Sequence, residues 1–217
     1  MSFQTNLIPN SRVLTFTGIN REIKSIPPQL NQLPQVEMQQ VHKNQVTECK
    51  EDKSYCVLQA DAIFTTLPNL VLKVKHADCL PILVVAELKA NTHSPHSTTQ
   101  SPKAIAVIHA GRKGTEQKIT NKVCQTLKNK FQIKQINFWL GPCICDDCYQ
   151  INKETNKHYD LRAENLKQIS SQFSNAQYTT HNFNECTCHQ ADKYFSYRRE
   201  GKQVKMNWSG ILLKTPG

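Results

Sequence analysis

No apolar segment in this chain of 217 residues is long enough to span a bilayer. The N-terminal stretch MSFQTNLIPNSRVLTF lacks the basic region, apolar core and small-residue cleavage site of a signal peptide, which predicts a cytosolic (cytoplasmic) protein. No internal repeat is visible, which argues against a repeat architecture. The formal net charge of +10 calls for an anionic partner, yet no compact basic arm or aromatic-plus-basic RNA-binding signature accompanies it. The lysines are scattered, so a solvated surface is favoured over nucleic-acid binding. Cysteine, by contrast, is abundant. Nine in an odd-numbered set, in a chain that is not short and carries no secretion signal, argue against a disulfide framework and leave metal binding, catalysis or burial.

The longest apolar run, VLKVKHADCLPILVVA (Val71 to Ala86), carries His76, Asp78 and Cys79 at its middle. Such a β-branched run reads as one buried strand. An unpartnered buried carboxylate costs several kcal/mol, on the order of the cost of burying any unpaired charge, so these residues need a partner, a metal or a cavity. Period-two alternation puts Lys75, Ala77 and Cys79 on one face and His76 and Asp78 on the other. Lys75 then shares a cavity with Cys79 and can hold an anion there. Asp78 reads equally well as a structural aspartate bound to backbone.

Shorter strands are expected at Val13–Thr17, Val36–Val41 (ending at His42), near Val46, at Ala62–Thr66, Ala104–His109, Ile136–Leu140 and Ile211–Leu213. A helix capped by Thr115 runs to about Lys130, and Asp160 caps a second one with Leu161, Leu166 and Ile169 inward. Tyr194–Arg198 followed by Glu200-Gly201 suggests a hairpin. Residues 88–103, rich in Ser, Thr, Pro and His, read as a flexible loop, and His93 and His96 within it as polar loop residues rather than ligands. Strands outnumber helices in mixed order, which predicts a single-domain α/β fold of the mixed α+β sandwich type spanning 1–217, with mixed sheets and flanking helices.

His42 and His109 each end a strand, and with Cys79 they make a candidate metal site. One thiolate and two imidazoles suit zinc, and three protein ligands leave a fourth position open, as in catalytic sites. The segment HAGRKGT (His109–Thr115) reads as strand, glycine turn and helix, with amide donors and the charges of Arg112 and Lys113 available to an anion, although it is not a P-loop. Cys145 and Cys148 have the Cys-x-x-Cys spacing of structural zinc or redox sites. Cys186 and Cys188 form a Cys-x-Cys pair that matches a zinc ribbon poorly. With Cys143, these cysteines are read as free thiols in preference to a second metal site.

Taken together, QQVHKNQV (Gln39–Val46), ADAIFTTLPNLVLKVKHADCLPILV (Ala60–Val84), AIAVIHAGRKGT (Ala104–Thr115), LGPCICDDCYQI (Leu140–Ile151), DLRAENLKQI (Asp160–Ile169) and CTCHQADKYFSYRREGKQVKM (Cys186–Met206) resemble the laccase-domain or polyphenol oxidase family, of the YlmD and YfiH type. The resemblance implies an α/β-sandwich domain holding zinc through His42, Cys79 and His109. It further implies phosphorolysis of adenosine and inosine, and of methylthioadenosine, to ribose 1-phosphate and free base, together with deamination of adenosine. A purine nucleoside and phosphate are the implied partners. Lys75-His76 stands where the family usually has Arg-Thr, and Arg112-Lys113 where it has Trp-Arg. Lysine offers phosphate a point charge in place of a forked guanidinium. On this reading Lys75, Lys113 and Arg198 hold phosphate, with Arg112 beside them, and Asp78 is the acid/base candidate. Two other functions fit the residues. One is a metal-free cysteine hydrolase with Cys79 as nucleophile and His109 or His42 as base; the other is a basic nucleic-acid binder. Copper oxidase chemistry, suggested by the older family name, is disfavoured because the eight histidines are scattered and form no His-x-His pair.

Overall fold

A computed structural model describes residues 3–7, 13–18, 30–51, 55–89 and 101–215, without the side chains of 3–7 and 55–56. His93, His96 and most of the expected 88–103 loop lie outside the described residues.

Twelve described strands form two six-stranded sheets. The first is built from Phe3–Leu7 (β1), Val13–Gly18 (β2), Gln35–Gln39 (β3), Tyr55–Gln59 (β5), Val71–His76 (β7) and Asn207–Leu213 (β14), ordered β1-β2-β14-β7-β3-β5. The second holds Val46–Glu48 (β4), Ala62–Thr65 (β6), Leu80–Leu88 (β8), Lys103–Ala110 (β9), Ile133–Leu140 (β10) and Tyr178–Asn182 (β13), ordered β13-β10-β8-β9-β6-β4. Gln150–Asn152 (β11) and Lys157–His158 (β12) make a small separate ribbon. Both large sheets are mixed: β3 runs parallel to β5 and β7, and β10 to β13, while β8 and β9 are antiparallel.

The sheets pack face to face. Val36, Met38, Leu72 and Val74 of the first meet Ile63, Leu83, Val85, Ile105 and Val107 of the second. On its other face the second sheet presents Ile82, Val84, Ala106, Ile108 and Phe138 to the helices Ile119–Lys130 (α2) and Leu161–Ser170 (α3). A sheet covered on both faces needs apolar residues at every strand position, which is why β8 does not alternate. The expected mixed sandwich with flanking helices is what the chain forms.

The central run differs from the expectation in one respect that shapes the site. It is two strands, not one: β7 belongs to the first sheet and β8 to the second, and Ala77-Asp78-Cys79 is the corner between them. Asp78 has a left-handed backbone, φ 88°. Thr187 Oγ1 donates to one of its carboxylate oxygens at 2.7 Å and the Arg198 backbone N–H to the other at 2.6 Å, which holds the corner in place. Alternation therefore stops at His76, and the face assignment of Cys79 relative to Lys75 does not carry across.

The helix expected from Thr115 is also divided. Arg112–Glu116 (α1) and α2 are separated by Lys118 in the left-handed region, and Thr115 lies buried inside α1 rather than at a cap. Asp160 caps α3 as expected, accepting from the Ala163 backbone N–H at 2.9 Å. Instead of a hairpin, Tyr197–Glu200 forms a short helix (α4), because the Ser196 hydroxyl caps it by accepting from the Arg199 N–H.

Candidate metal centre and cavity

Two loops and a strand end bring the predicted ligands together. His42 follows β3 in a left-handed conformation (φ 56°), Cys79 ends the sheet-to-sheet corner, and His109 sits near the end of β9. One ligand atom from each lies within 4.8 Å of the others. The two imidazoles stand edge to face, with centroids 4.8 Å apart. Left-handed backbone at two non-glycine residues of one site, His42 and Asp78, is the kind of local strain that fixed side-chain placement requires.

Asp61 holds this arrangement together and was not singled out from the sequence. Its fully buried carboxylate accepts the backbone N–H groups of His42 and Lys43, each at 2.8 Å, and lies 3.2 Å from His109 Nδ1. That bond places the His109 proton on Nδ1 and turns Nε2 toward Cys79, the usual carboxylate–histidine–metal relay. Its signal was an aspartate opening the apolar strand ADAIF, the same buried-charge anomaly that drew attention to Asp78.

The electrostatics suit a metal-binding set. Burial pushes the Cys79 thiol up, but the charge of His109 and hydrogen bonds from both histidines outweigh it and bring it down to about 6. Burial pushes His109 down, yet the Cys79 thiolate and Asp61 together raise it to about 9. Without metal the pair is thus a thiolate facing an imidazolium, and a divalent cation would take the proton's place. Close approach is built in: a Cβ on Gly111 would lie 3.0 Å from Cys79 Sγ. One thiolate and two imidazoles, one of them oriented by a carboxylate, fit a catalytic transition metal with an open position.

His42, Cys79 and His109 line a cavity of about 790 Å³. All four residues expected to hold phosphate border it, in different states. Lys75 is ion-paired with Glu37 and lies 5.1 Å over the Trp208 ring. Arg112 pairs with Glu116 at 2.9 Å. Arg198 donates to the Gln150 carbonyl at 2.8 Å and covers Tyr149. Lys113 is exposed and has no ion-pair partner among the described residues. Tyr149 and Tyr197 add aromatic surface to the wall. Asp78 also reaches the cavity, and its two oxygens accept from Thr187 and the Arg198 backbone, so it positions the corner that carries Cys79. His76 is buried in β7 with Nε2 3.0 Å from Ser209 Oγ, and it does not join the ligand group.

Comparison with known proteins bears on the fold and the family. A solved structure from Neisseria meningitidis superposes with TM-score 0.73 at 21% identity, covering 99% of this chain and all of that one. YlmD from Geobacillus stearothermophilus gives TM-score 0.72 at 17% identity, covering 96% of this chain and 94% of that one. At these identities the likeness concerns the fold. A Haemophilus influenzae protein named purine nucleoside phosphorylase is 30% identical over 69% of this chain, an alignment that spans only 63% of that relative. One of the same name from Clostridium acetobutylicum is 27% identical over 82% of this chain and 76% of its own length. The sequence profile described as multi-copper polyphenol oxidoreductase laccase matches residues 20–181. With the sandwich fold and the ordered motifs around His42, Cys79 and His109, the chain belongs to that family.

Proposed function

We propose that this protein is a zinc-dependent purine nucleoside phosphorylase, cleaving adenosine and inosine, and methylthioadenosine, with phosphate to ribose 1-phosphate and free base. The observation that carries this reading is the convergence of His42, Cys79 and His109 in a cavity bordered by cations and tyrosines. The names of the relatives support it. When bound, zinc would supply a Lewis acid in the cavity.

The chain's own residues divide the remaining work. Lys113, exposed at the rim and without an ion-pair partner among the described residues, attracts phosphate, and Arg198 and Arg112 extend the positive wall. Lys75 is held by Glu37 and Trp208, so it shapes the wall as much as it charges it. Tyr149, stiffened by the Arg198 guanidinium above it, offers a face on which a purine can stack. Asp61 keeps His42 and His109 in their ligand orientations. Deamination of adenosine in the same cavity is part of the proposal, supported by a relative named adenosine deaminase that is 29% identical over half of this chain.

Elemental analysis beside a phosphate-dependent base-release assay on adenosine and inosine tests the reading. Stoichiometric zinc, ribose 1-phosphate formation, and loss of both in Cys79→Ala are expected. Full activity in Cys79→Ala, or after exhaustive chelation, would overturn the zinc assignment and favour a metal-free cysteine hydrolase or another function.

A further inference from the structure

Away from the cavity ligands, the structure gathers a second set. Cys145, Cys148, Cys186 and His189 each offer a ligand atom, and all four lie within 4.8 Å of one another. In the sequence Cys186 was paired with Cys188, giving the unpromising Cys-x-Cys spacing. The structure pairs it with His189 instead, so the spacing is Cys-x-x-Cys followed by Cys-x-x-His, the ligand spacing of small structural zinc sites. Cys188 is outside the group; its backbone carbonyl is taken by Arg199.

We propose that Cys145, Cys148, Cys186 and His189 form a structural zinc site, closed to substrate, that clips two loops into the wall of the catalytic cavity. Three sulfurs and one imidazole would give a structural ion four protein ligands and leave no open position, unlike the set at His42, Cys79 and His109. The side chains already touch one another. His189 Nε2 is 3.1 Å from Cys148 Sγ, its Nδ1 is 3.8 Å from Cys145 Sγ, and the Cys145 backbone N–H donates to Cys186 Sγ at 3.3 Å. Backbone and arginine hydrogen bonds bring the same two loops together. The Cys143 N–H donates to the Glu185 carbonyl, and the Thr187 N–H to the Cys143 carbonyl. Arg162 donates to the carbonyls of Phe183 and Glu185, and Arg199 to those of Thr187 and Cys188. A pre-organised shell of this kind binds metal without a large ordering cost.

Its place in the fold gives the clip its effect. Cys148 directly precedes Tyr149 of the cavity wall, and Cys186 directly precedes Thr187, which holds the Asp78 carboxylate at the corner carrying Cys79. Removing the second ion should loosen Tyr149 and Asp78 and weaken substrate binding before it touches the first ion.

The test is metal stoichiometry of the full chain, purified under reducing conditions from zinc-supplemented medium. Two zinc ions per chain are expected in the unaltered protein and one each in Cys79→Ser and in Cys148→Ser. Cobalt-loaded Cys79→Ser should show tetrahedral d–d bands with strong thiolate-to-cobalt charge transfer. Those bands should vanish when His189→Ala is added and return in part with His189→Cys. His189 is exposed, so its variants report on the site even if Cys148→Ser fails to fold. Absence of metal from Cys79→Ser, or a Cys145–Cys148 disulfide in the freshly purified protein, would overturn the proposal. A chain that holds the second zinc but releases no base from nucleosides would leave it standing and refute the phosphorylase reading alone.

Discussion

Asp61 Oδ1 lies 3.2 Å from His109 Nδ1 while the same carboxylate accepts the backbone N–H groups of His42 and Lys43. One buried aspartate thus orients both histidines of the candidate metal centre, one through its ring and the other through its backbone. Its oxygens are already matched by donors, so the charge is well compensated. Burial alone would raise this carboxyl, but the His109 bond and the two backbone donors prevail and leave it below its usual value. Asp61→Asn keeps the shape but presents an amide donor to groups that already donate. Metal affinity should fall by about 10- to 100-fold, as is typical when a carboxylate behind a ligating histidine is lost. Competition against a chromogenic chelator measures this directly, and an unchanged affinity would show that His109 is oriented by other means.

Gly111 tests how tightly Cys79 is confined. Its φ of −76° suits any residue, so an alanine there adds only bulk. The added Cβ would meet Cys79 Sγ at 3.0 Å and the edge of the His109 ring at 3.6 Å. The sulfur must yield by a few tenths of an ångström, which misaligns the thiolate more than it strains the fold. Gly111→Ala should lose metal and activity while its thermal midpoint in the metal-free state moves by no more than a few degrees, as a cost of about 1 kcal/mol would cause. Metal content and a melting curve with chelator present check the two halves.

The meeting of His42, Cys79 and His109 was legible from sequence because each was an anomaly: two histidines at strand ends and a cysteine in an apolar run. Asp61 was an anomaly of the same kind, hidden in a short strand where a single aspartate at the edge is unremarkable. The break of the central run was not legible, because alternation describes a strand only while it stays in one sheet. At Asp78 the chain changes sheets, driven by contacts with Thr187 and Arg198 that lie 109 and 120 residues away. The same long-range closure brings Cys145 and Cys148 to Cys186 and His189; local spacing showed the first pair and obscured the second.

The cavity cations should separate by function. Lys113 has no ion-pair partner among the described residues, so Lys113→Ala should act on anion binding alone. Loss of one exposed charge near phosphate is worth on the order of 1 kcal/mol, which predicts a KM for phosphate raised about 5- to 10-fold with kcat little changed. Lys75→Ala should behave differently. It also breaks the ion pair with the largely buried Glu37 and leaves the Trp208 face to Lys73, 4.6 Å away, so the protein should lose stability as well as phosphate affinity. Steady-state kinetics at varied phosphate, paired with denaturant titrations, distinguish the two. Equal stability of the variants would contradict a wall role for Lys75.

His76 sets an acid limit on the fold. Burial, with a smaller push from the charge of His109, lowers it from 6.5 to about 3, so it stays neutral in the folded chain. Its Nε2 bonds Ser209, and its buried Nδ1 has no hydrogen-bond partner among the described residues. Between those two values the unfolded chain binds a proton that the folded chain refuses. Folding stability is therefore intact above about pH 6.5 and declines as pH falls, with a limiting slope of about 1.4 kcal/mol per pH unit from this one group. His76→Gln can retain a bond to Ser209 but cannot titrate. Urea midpoints at neutral pH and near pH 5 should converge for the variant more than for the parent chain, with chelator present to remove metal linkage. If the difference between the two proteins does not narrow toward acid pH, His76 accepts its proton within the fold, and the neutral buried imidazole is not what the first sheet requires.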